Sequence, residues 1–356
     1  MSAFVERILR EADAWAETAT TTSGPRVKPK TVFFGGGTPS LLPLAQMAKL
    51  LAGLRDRFDF IDCTEWTIEA NPATVTADYC HMLREQGVNR ISMGAQSFEP
   101  EDLAFLERHH NPDDVGRSLQ AARDAGFQRL NIDLIYGVPG QTLDSWLITL
   151  QRAIELGTEH LSCYGLTYEP NTPLAVRQRL GQFRATPAEL EIQMLRETRR
   201  RLEAVGLPAY EISNYARPTA ECRHNLHYWT GGNYIGLGPS AASHVDGWRW
   251  RNRPHLGEWE SAVDDRKLPA TDIEQLLPRH RAGELAMLML RLTRGLDLSD
   301  FAARTGYDAR TLFADPIERY TTTGLLTHKN GSICLSDAGL PVADAIAAEF
   351  LTLSIN

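Results

Sequence analysis

The sequence has few cysteines, and none of them are clustered. Its 356 residues include five cysteines, and the nearest two lie 17 positions apart: Cys63, Cys80, Cys163, Cys222 and Cys334. This spacing contains no CxxC pair, which excludes the common zinc and dithiol redox motifs. A dispersed, odd number of cysteines also argues against a disulfide framework and favours reduced thiols in the cytoplasm.

Long apolar runs and an excess of positive charge are missing as well. No stretch of about 18 apolar residues occurs, which excludes a membrane-spanning helix. The first residues mix charged and apolar positions at helical spacing, unlike the unbroken apolar stretch of a signal peptide. The formal net charge of −8 argues against the basic face of a general nucleic-acid binder. We therefore expect a cytoplasmic protein with no membrane insertion and no nucleic-acid partner.

Between residues 30 and 170, short apolar runs alternate regularly with stretches of helical spacing. The apolar runs TVFF, WTIEA, RISMGAQ, RLNIDLIYG and HLSCYGLT are typical of buried strands. The stretches between them have helical spacing, and several end at a glycine, namely Gly87, Gly126 and Gly157, the usual C-terminal stop of a helix. The alternation predicts βαβ units and an α/β fold with a parallel sheet, open or closed into a barrel.

The C-terminal part of the chain has a different pattern. Helices are expected at 278–294 and 308–323, and a hairpin follows them with an Asn-Gly turn at 330–331. A helix then closes the chain. Helices followed by a hairpin favour a small winged-helix-like domain. We place its boundary so that the domains are 1–245 and 246–356.

Polar residues and glycines follow the ends of the predicted strands. In parallel α/β folds, the carboxyl ends of the strands form the active face. Glycines 35–37 leave main-chain groups open to a ligand. The carboxylates of Glu69 and Asp133 could each accept two hydrogen bonds from a ribose diol or an amine. Each residue could merely end a strand or cap a helix, but the repetition over successive strands predicts a ligand site.

Two further features have open interpretations. Arg108 could bind a ligand carboxylate through two hydrogen bonds, or it could pair with a glutamate on a solvated helix. The segment Cys222-Arg-His224-Asn225-Leu-His227-Tyr228-Trp229 could ligate zinc or heme iron. No second pair of possible metal ligands follows the segment, and this weakens the interpretation as a zinc site. Packing of its two aromatic rings against the barrel is the alternative.

Six blocks in a fixed order resemble a known family: TVFFGGGTPSLL, TIEANP, NRISMGAQSF, LERHH, NIDLIYGVPGQT and YGLTYEPNTPL. With the HNLHYW segment, they resemble the HemW branch of the radical-SAM superfamily, which is related to oxygen-independent coproporphyrinogen III oxidase. The resemblance covers nearly the whole chain. It implies a partial (β/α)6 barrel whose first strand is missing here, with a small, mainly helical, winged-helix-like C-terminal domain. It also implies a heme chaperone that transfers heme to an unidentified acceptor protein.

The resemblance implies roles for individual residues. Contacts to the cofactor S-adenosylmethionine (SAM) are implied for Gly36, Gly37, Thr38, Glu69, Gln96, Arg108 and Asp133. Among these, the glycine loop would hold the methionine end, Arg108 the carboxylate and Asp133 the ribose. HNLHYW is similar to the HNxxYW heme motif of the family, and heme contacts are implied for His224, Asn225 and Tyr228. His224 is the expected iron ligand, and His227 is its rival.

The CxxxCxxC segment, which binds a [4Fe–4S] cluster in the family, has no counterpart in this sequence. We therefore expect that the chain as given does not bind the cluster. Either the recorded start is internal to a longer reading frame, or the protein is a degenerate member without radical chemistry. The alternative functions are a coproporphyrinogen III oxidase that uses a SAM-derived radical and, as a third hypothesis, a non-catalytic SAM- or nucleotide-binding scaffold. We rank the heme chaperone first and expect no oxidase turnover.

Overall fold

The computed structural model describes residues 1–21, 27–170 and 172–351. The chain divides into two compact units. The sheet unit consists of Phe33–Leu41 and Trp66–Glu221, and the terminal unit consists of Met1–Val32, Leu42–Glu65 and Cys222–Asn356. Because the units follow contacts rather than chain order, the domain boundary after residue 245 stays a prediction.

Two helices of the terminal unit open the chain, α1 (Ser2–Thr21) and α2 (Leu44–Arg57). The side chain of Arg57 joins them: it donates to the main-chain oxygen of Leu9 at 2.9 Å and to the carboxylate of Asp13 at 3.0 Å. No helix among the described residues is long and apolar enough to cross a bilayer.

Six strands form one sheet in chain order: β1 (Thr31–Phe34), β2 (Glu65–Ala70), β3 (Arg90–Gln96), β4 (Arg129–Tyr136), β5 (His160–Gly165) and β6 (Asn214–Ala216). Strands β2 to β5 pair in parallel, and β6 pairs antiparallel with β5. Strands β2, β3 and β5 each have four or more consecutive buried or nearly buried residues, as a sheet covered on both faces requires. The five predicted strands are confirmed. The sequence pattern missed the three-residue β6.

Helices separate the strands of the sheet unit: α3 (Ala77–Glu85), α4 (Pro100–Phe105), α5 (Pro112–Asp124), α6 (Leu143–Glu155), α7 (Pro173–Arg179) and α8 (Ala188–Ala204). Side-chain caps begin four of them, because their oxygens satisfy N–H groups that the helix leaves unpaired: Thr76 for α3, Asn111 for α5, Thr142 for α6 and Thr172 for α7. The predicted stops Gly87, Gly126 and Gly157 have φ values of 85°, 87° and 67°. This left-handed backbone explains why glycine occupies these positions.

A small antiparallel sheet of the terminal unit was not predicted. It lies in the region of α9 (Arg223–Trp229), β7 (Ala242–Val245), β8 (Trp248–Asn252), α10 (Leu256–Asp264) and β9 (Ala270–Gln275), with strand order β7-β8-β9. Glu11 of α1 ties this region together, although it is only 3 % exposed. Its carboxylate accepts hydrogen bonds from Gly238 N (2.9 Å), Asn252 Nδ2 (2.6 Å) and Trp259 Nε1 (3.0 Å). Such partners offset the loss of solvation that raises the pKa of Glu11.

The C-terminal elements confirm the winged-helix-like expectation. They are α11 (Pro278–Leu290), β10 (Leu296–Asp297), α12 (Leu298–Thr305), α13 (Ala309–Leu312), α14 (Ala314–Thr322), β11 (Leu326–Lys329), β12 (Ser332–Leu335) and α15 (Ala343–Glu349), with strand order β10-β12-β11. The hairpin turn is confirmed, with φ of 49° at Asn330 and 80° at Gly331, as a tight two-residue turn requires. The helix expected at 308–323 is interrupted at Phe313, which is buried against Phe301 and Phe350.

Candidate functional site

A cavity of about 490 Å³ opens at the carboxyl ends of the parallel strands, within the sheet unit. Six of the seven predicted SAM contacts line it: Gly37, Thr38, Glu69, Gln96, Arg108 and Asp133. The seventh, Gly36, donates its main-chain N–H to the carboxylate of Glu69. The parallel sheet therefore brings together side chains that are up to about 100 positions apart in the sequence, as βαβ topology requires.

The loop after β1 requires glycines for two reasons, the conformation of its backbone and its close packing. Gly36 and Gly37 have φ values of 79° and 138°, a backbone conformation that side chains other than glycine rarely adopt. A Cβ atom at Gly35 would lie 2.7 Å from the ring of Phe33 and 3.0 Å from the carboxyl group of Glu69. The loop therefore turns back over Glu69 only because these positions have no side chain.

Two carboxyl groups share the cavity, and each is shifted by its surroundings. Burial and the nearby charge of Asp133 raise the pKa of Glu69 to about 7, although the N–H of Gly36 opposes the shift. Burial also raises the pKa of Asp133, against hydrogen bonds from Ser92, Ser162 and Asn131. Since two anions close together disfavour each other, the cavity favours a ligand with a positive charge or hydroxyl donors.

Gln96 reaches the cavity through a strained backbone. It has a φ of 66° and lies at an irregularity where β3 shifts register against β4. Bulges of this kind redirect side chains next to functional sites, and the unusual φ costs about 1–3 kcal/mol. Gly94 accommodates the bend, because a Cβ there would lie 3.1 Å from the amide of Gln96.

The sequence interpretation missed the residues that hold Asp133. Ser92 donates to Asp133 Oδ2 at 2.8 Å, and the amide of Asn131 donates to Oδ1 at 2.8 Å. Ser162 lies opposite Asp133 on β5. The signal that could have found them is polarity, since all three interrupt strands that are otherwise apolar.

The HNLHYW segment, which was predicted to contact heme, forms part of helix α9 in the terminal unit. A carboxylate distant in the sequence caps this helix. Glu65 is 6 % exposed. It accepts hydrogen bonds from the main-chain N–H groups of Arg223 (3.0 Å) and His224 (2.9 Å) and from the thiol of Cys222 (3.3 Å). The two N–H groups belong to the first turn, which a helix cannot satisfy itself. Glu65 therefore determines where α9 begins.

His224 is held on two sides. Its Nδ1 lies 2.8 Å from the hydroxyl of Thr31, and its ring meets the ring of Tyr228 edge-on, with centroids 4.7 Å apart. Burial lowers the pKa of His224 to about 4, with Glu65 opposing the shift and His227 adding to it. The imidazole is therefore neutral at pH 7, the form that binds metals.

The other residues of α9 have different surroundings. His227 Nε2 lies 2.7 Å from the main-chain oxygen of Asn233, so this nitrogen donates a hydrogen bond. The Trp229 ring lies under the guanidinium of Arg291, at 4.6 Å. Asn225 follows His224 on the helix and is partly buried.

The zinc interpretation of this segment gains no support from the geometry. Within 1–21, 27–170 and 172–351, no three His, Cys, Asp or Glu side chains come together as a metal site.

Comparison with known proteins gives consistent matches. Residues 4–153 match the family model of the radical SAM superfamily, and residues 276–342 match that of the HemN C-terminal domain. The chain is similar to a heme chaperone HemW of Mycobacterium tuberculosis, with 36 % identity over 90 % of this chain and 80 % of that protein. It is 32 % identical to a heme chaperone HemW of Bacillus subtilis, over 90 % of this chain and 85 % of that protein.

A solved structure also matches along nearly the whole chain. It is coproporphyrinogen III oxidase (HemN) from Escherichia coli, described as a radical SAM enzyme. The TM-score is 0.83 and the identity 25 %, and the match covers 99 % of this chain and 84 % of that one. The partial radical-SAM barrel expected from the sequence is therefore confirmed.

Proposed function

Because the chain belongs to the HemW family within the radical-SAM superfamily, we propose that it binds heme and transfers it to an acceptor protein. The observation that carries this proposal is the environment of His224 on α9. Its imidazole is neutral, fixed by the Thr31 hydroxyl and flanked by Tyr228. A neutral, oriented histidine is the usual protein ligand of heme iron.

His224 is a better candidate for the iron ligand than His227. A histidine that binds a metal through one ring nitrogen commonly donates its other N–H to a neighbouring oxygen. Thr31 provides that oxygen for Nδ1 of His224, which assigns iron to Nε2. His227 instead uses Nε2 to bond the carbonyl of Asn233. Asn225 and Tyr228 are proposed as further heme contacts, because an aromatic ring offers an apolar surface to the macrocycle.

Heme titration followed by absorbance tests the proposal. We expect about one heme per chain, bound through a histidine. His224→Ala should abolish or shift the spectrum of the bound heme, while circular dichroism stays that of the unchanged protein. His227→Ala is the matched control, one turn further along α9, and it should retain the spectrum. An unchanged spectrum in the double variant would refute the assignment of heme to α9.

We also propose SAM as the ligand of the cavity. The residues fit its groups: Arg108 can bind the carboxylate, Glu69 the ammonium group and Asp133 the ribose diol. A volume of about 490 Å³ is typical of a small-molecule site. SAM is the source of the radical in this superfamily. The residues of this chain would bind and orient it, with Glu69 losing its proton to pair with the ammonium group.

Calorimetry with SAM tests the cavity. Asp133→Ala should weaken binding by about 1–3 kcal/mol, the usual loss for a hydrogen bond to a charged group. Equal affinity of the two proteins would remove Asp133 from the site. If ordinary nucleotides bound more tightly than SAM, the result would favour the third hypothesis, a non-catalytic nucleotide-binding scaffold.

We assign no ligands to a [4Fe–4S] cluster. No disulfide joins any of the five cysteines, which all lie in the described residues, and the described part of the chain brings no three candidate ligands together. The likeness to HemN keeps coproporphyrinogen III oxidation as a second candidate function. For the chain as given we expect no conversion of coproporphyrinogen III with SAM and a reductant. The reduced, dispersed cysteines support the cytoplasm as its location.

A further inference from the structure

A chain of hydrogen bonds runs from Asp133 in the cavity along one face of the sheet, toward the amino ends of the strands. Its members beyond the carboxylate are Ser92, Asn131, Ser162, His160 and Tyr210. The strand register brings them together, since Ser92 pairs with Asn131 and Asn131 pairs with His160 across β3, β4 and β5. The four members on the strands are each at most 8 % exposed. Their polar atoms must therefore satisfy one another.

The partners of Asn131 determine which way its amide points. Its Nδ2 lies 2.8 Å from Asp133 Oδ1, 2.7 Å from Ser92 Oγ and 3.0 Å from Ser162 Oγ. An ionised carboxylate can only accept hydrogen bonds, so the NH₂ group faces Asp133. The amide oxygen therefore faces the other way, toward His160, whose Nδ1 is 2.6 Å from it.

The tautomer of His160 follows from the same rule. Because the oxygen of Asn131 only accepts, Nδ1 of His160 carries a hydrogen and donates it. His160 is 1 % exposed, and burial holds its pKa well below the ordinary value, so the ring is neutral. Its Nε2 then has a lone pair and accepts from the hydroxyl of Tyr210, 3.0 Å away. The three bonds that link Tyr210, His160, Asn131 and Asp133 in succession thus all point toward Asp133.

We propose that His160, as the neutral Nδ1–H tautomer, is a positioning residue that orients Asn131 and so holds Asp133 ionised and aimed into the cavity. Asp133 needs this support because burial alone would favour its protonated form. A protonated Asp133 would bind a diol less strongly, because it has no charge and one of its oxygens carries a hydrogen. The inference rests on the proposed SAM site, since it assigns the ribose diol as the group that Asp133 receives.

Nitrogen-15 NMR of histidine-labelled protein tests the direction of the chain without any ligand. The wild-type protein should show one histidine, absent from His160→Gln, that stays neutral with its hydrogen on Nδ1 from pH 6 to 8. A hydrogen on Nε2, or protonation in this range, would overturn the proposal.

Ligand discrimination tests the effect on Asp133. The probes are SAM and a 2′,3′-dideoxy analogue of SAM, which lacks the diol. Wild-type protein should prefer SAM by about tenfold, the value of one hydrogen bond to a charged group. His160→Leu should lose this preference, and His160→Gln should retain it because the glutamine amide can donate to Asn131. Full preference in His160→Leu would overturn the proposal.

A matched variant separates this effect from simple loss of packing. Thr198→Val removes another fully buried hydrogen bond of the sheet unit, between Thr198 and the indole of Trp146. It should lower stability and leave the preference for the diol unchanged. If wild-type protein binds neither probe, the proposed SAM site fails, while the NMR result still decides the tautomer and the direction of the chain.

Discussion

The cavity of the sheet unit and helix α9 of the terminal unit are both partly buried polar sites, but different structures hold them. In the cavity, the carboxylate of Asp133 receives hydrogen bonds from three side chains, which lie on three neighbouring strands. In α9, one carboxylate caps the helix and one hydroxyl holds His224. Loss of Glu65 removes three hydrogen bonds at the start of α9 at once, whereas loss of one partner of Asp133 leaves two. We therefore expect the substitution of Glu65 to lower stability more than the substitution of any one partner of Asp133.

The most severe test of this comparison is Glu65→Ala. It removes the acceptor of three hydrogen bonds at the start of α9 and leaves two partly buried main-chain N–H groups without it. We expect the free energy of unfolding to fall by about 2–4 kcal/mol and heme binding to be lost. Urea titration measures the first effect, and heme absorbance measures the second. Glu189→Ala, at an exposed position of α8, is the control and should change stability by less than about 0.5 kcal/mol.

In the cavity, the ionisation of Glu69 makes the stability of the protein depend on pH. Glu69 has a pKa of about 7 in the folded state, above its ordinary value of 4.5. The folded protein therefore holds this proton more tightly than the unfolded chain. The resulting stability is present below about pH 4.5 and is lost as the pH rises to about 7.

Glu69→Gln should remove that pH dependence. At pH 7.5 the variant should be more stable than the wild type by about 1–3 kcal/mol, and its stability should change less between pH 4.5 and 7. Thermal unfolding across this range measures both. A parallel pH profile for the two proteins would contradict the raised pKa. Glu189→Ala again provides the control, because its profile should follow that of the wild type.

The mildest test concerns the hydroxyl that holds His224. Thr31→Val keeps the shape of the side chain in β1 but removes the hydrogen bond to Nδ1. We expect heme affinity to fall by about 1 kcal/mol, near fivefold, with a shifted absorbance maximum. Thr64→Val removes a hydroxyl whose bond goes to the main chain of Lys30 instead, and it should leave heme unchanged. If both variants behave alike, Thr31 does not position His224.

The two regions also differ in how far the sequence predicts them. Hydrophobic runs and glycine stops correctly predicted the five strands β1 to β5, of which β2 to β5 pair in parallel, and parallel strands place their carboxyl ends together. Five of the six predicted residues that line the cavity lie at or near those strand ends, and Arg108, which follows α4, is the exception. The support of α9 depends instead on contacts across 193 residues to Thr31 and 159 residues to Glu65. No local pattern specifies such pairs. Nothing in the sequence around Glu65 distinguishes this residue from a solvated glutamate.

The misses inside the fold have similar physical causes. Strand β8 alternates tryptophan and arginine, and strands β7 and β9 mix polar with apolar residues, so all three lack the apolar signal of a buried strand. The interruption at Phe313 has no glycine or proline to announce it. The bond from Asn131 to Asp133 is local, but its direction depends on His160, which lies 29 positions away.

The clamp around Glu11 has a consequence for biosynthesis. Helix α1 leaves the ribosome early, but the indole that bonds Glu11 is synthesised 248 residues later. All segments of the sheet unit lie before residue 222, so that unit can fold while translation continues. The terminal unit must wait. Until Trp259 emerges, Glu11 and the part of α1 that packs against α10 lack their native partners, and the nascent chain is exposed to aggregation and proteolysis during that interval.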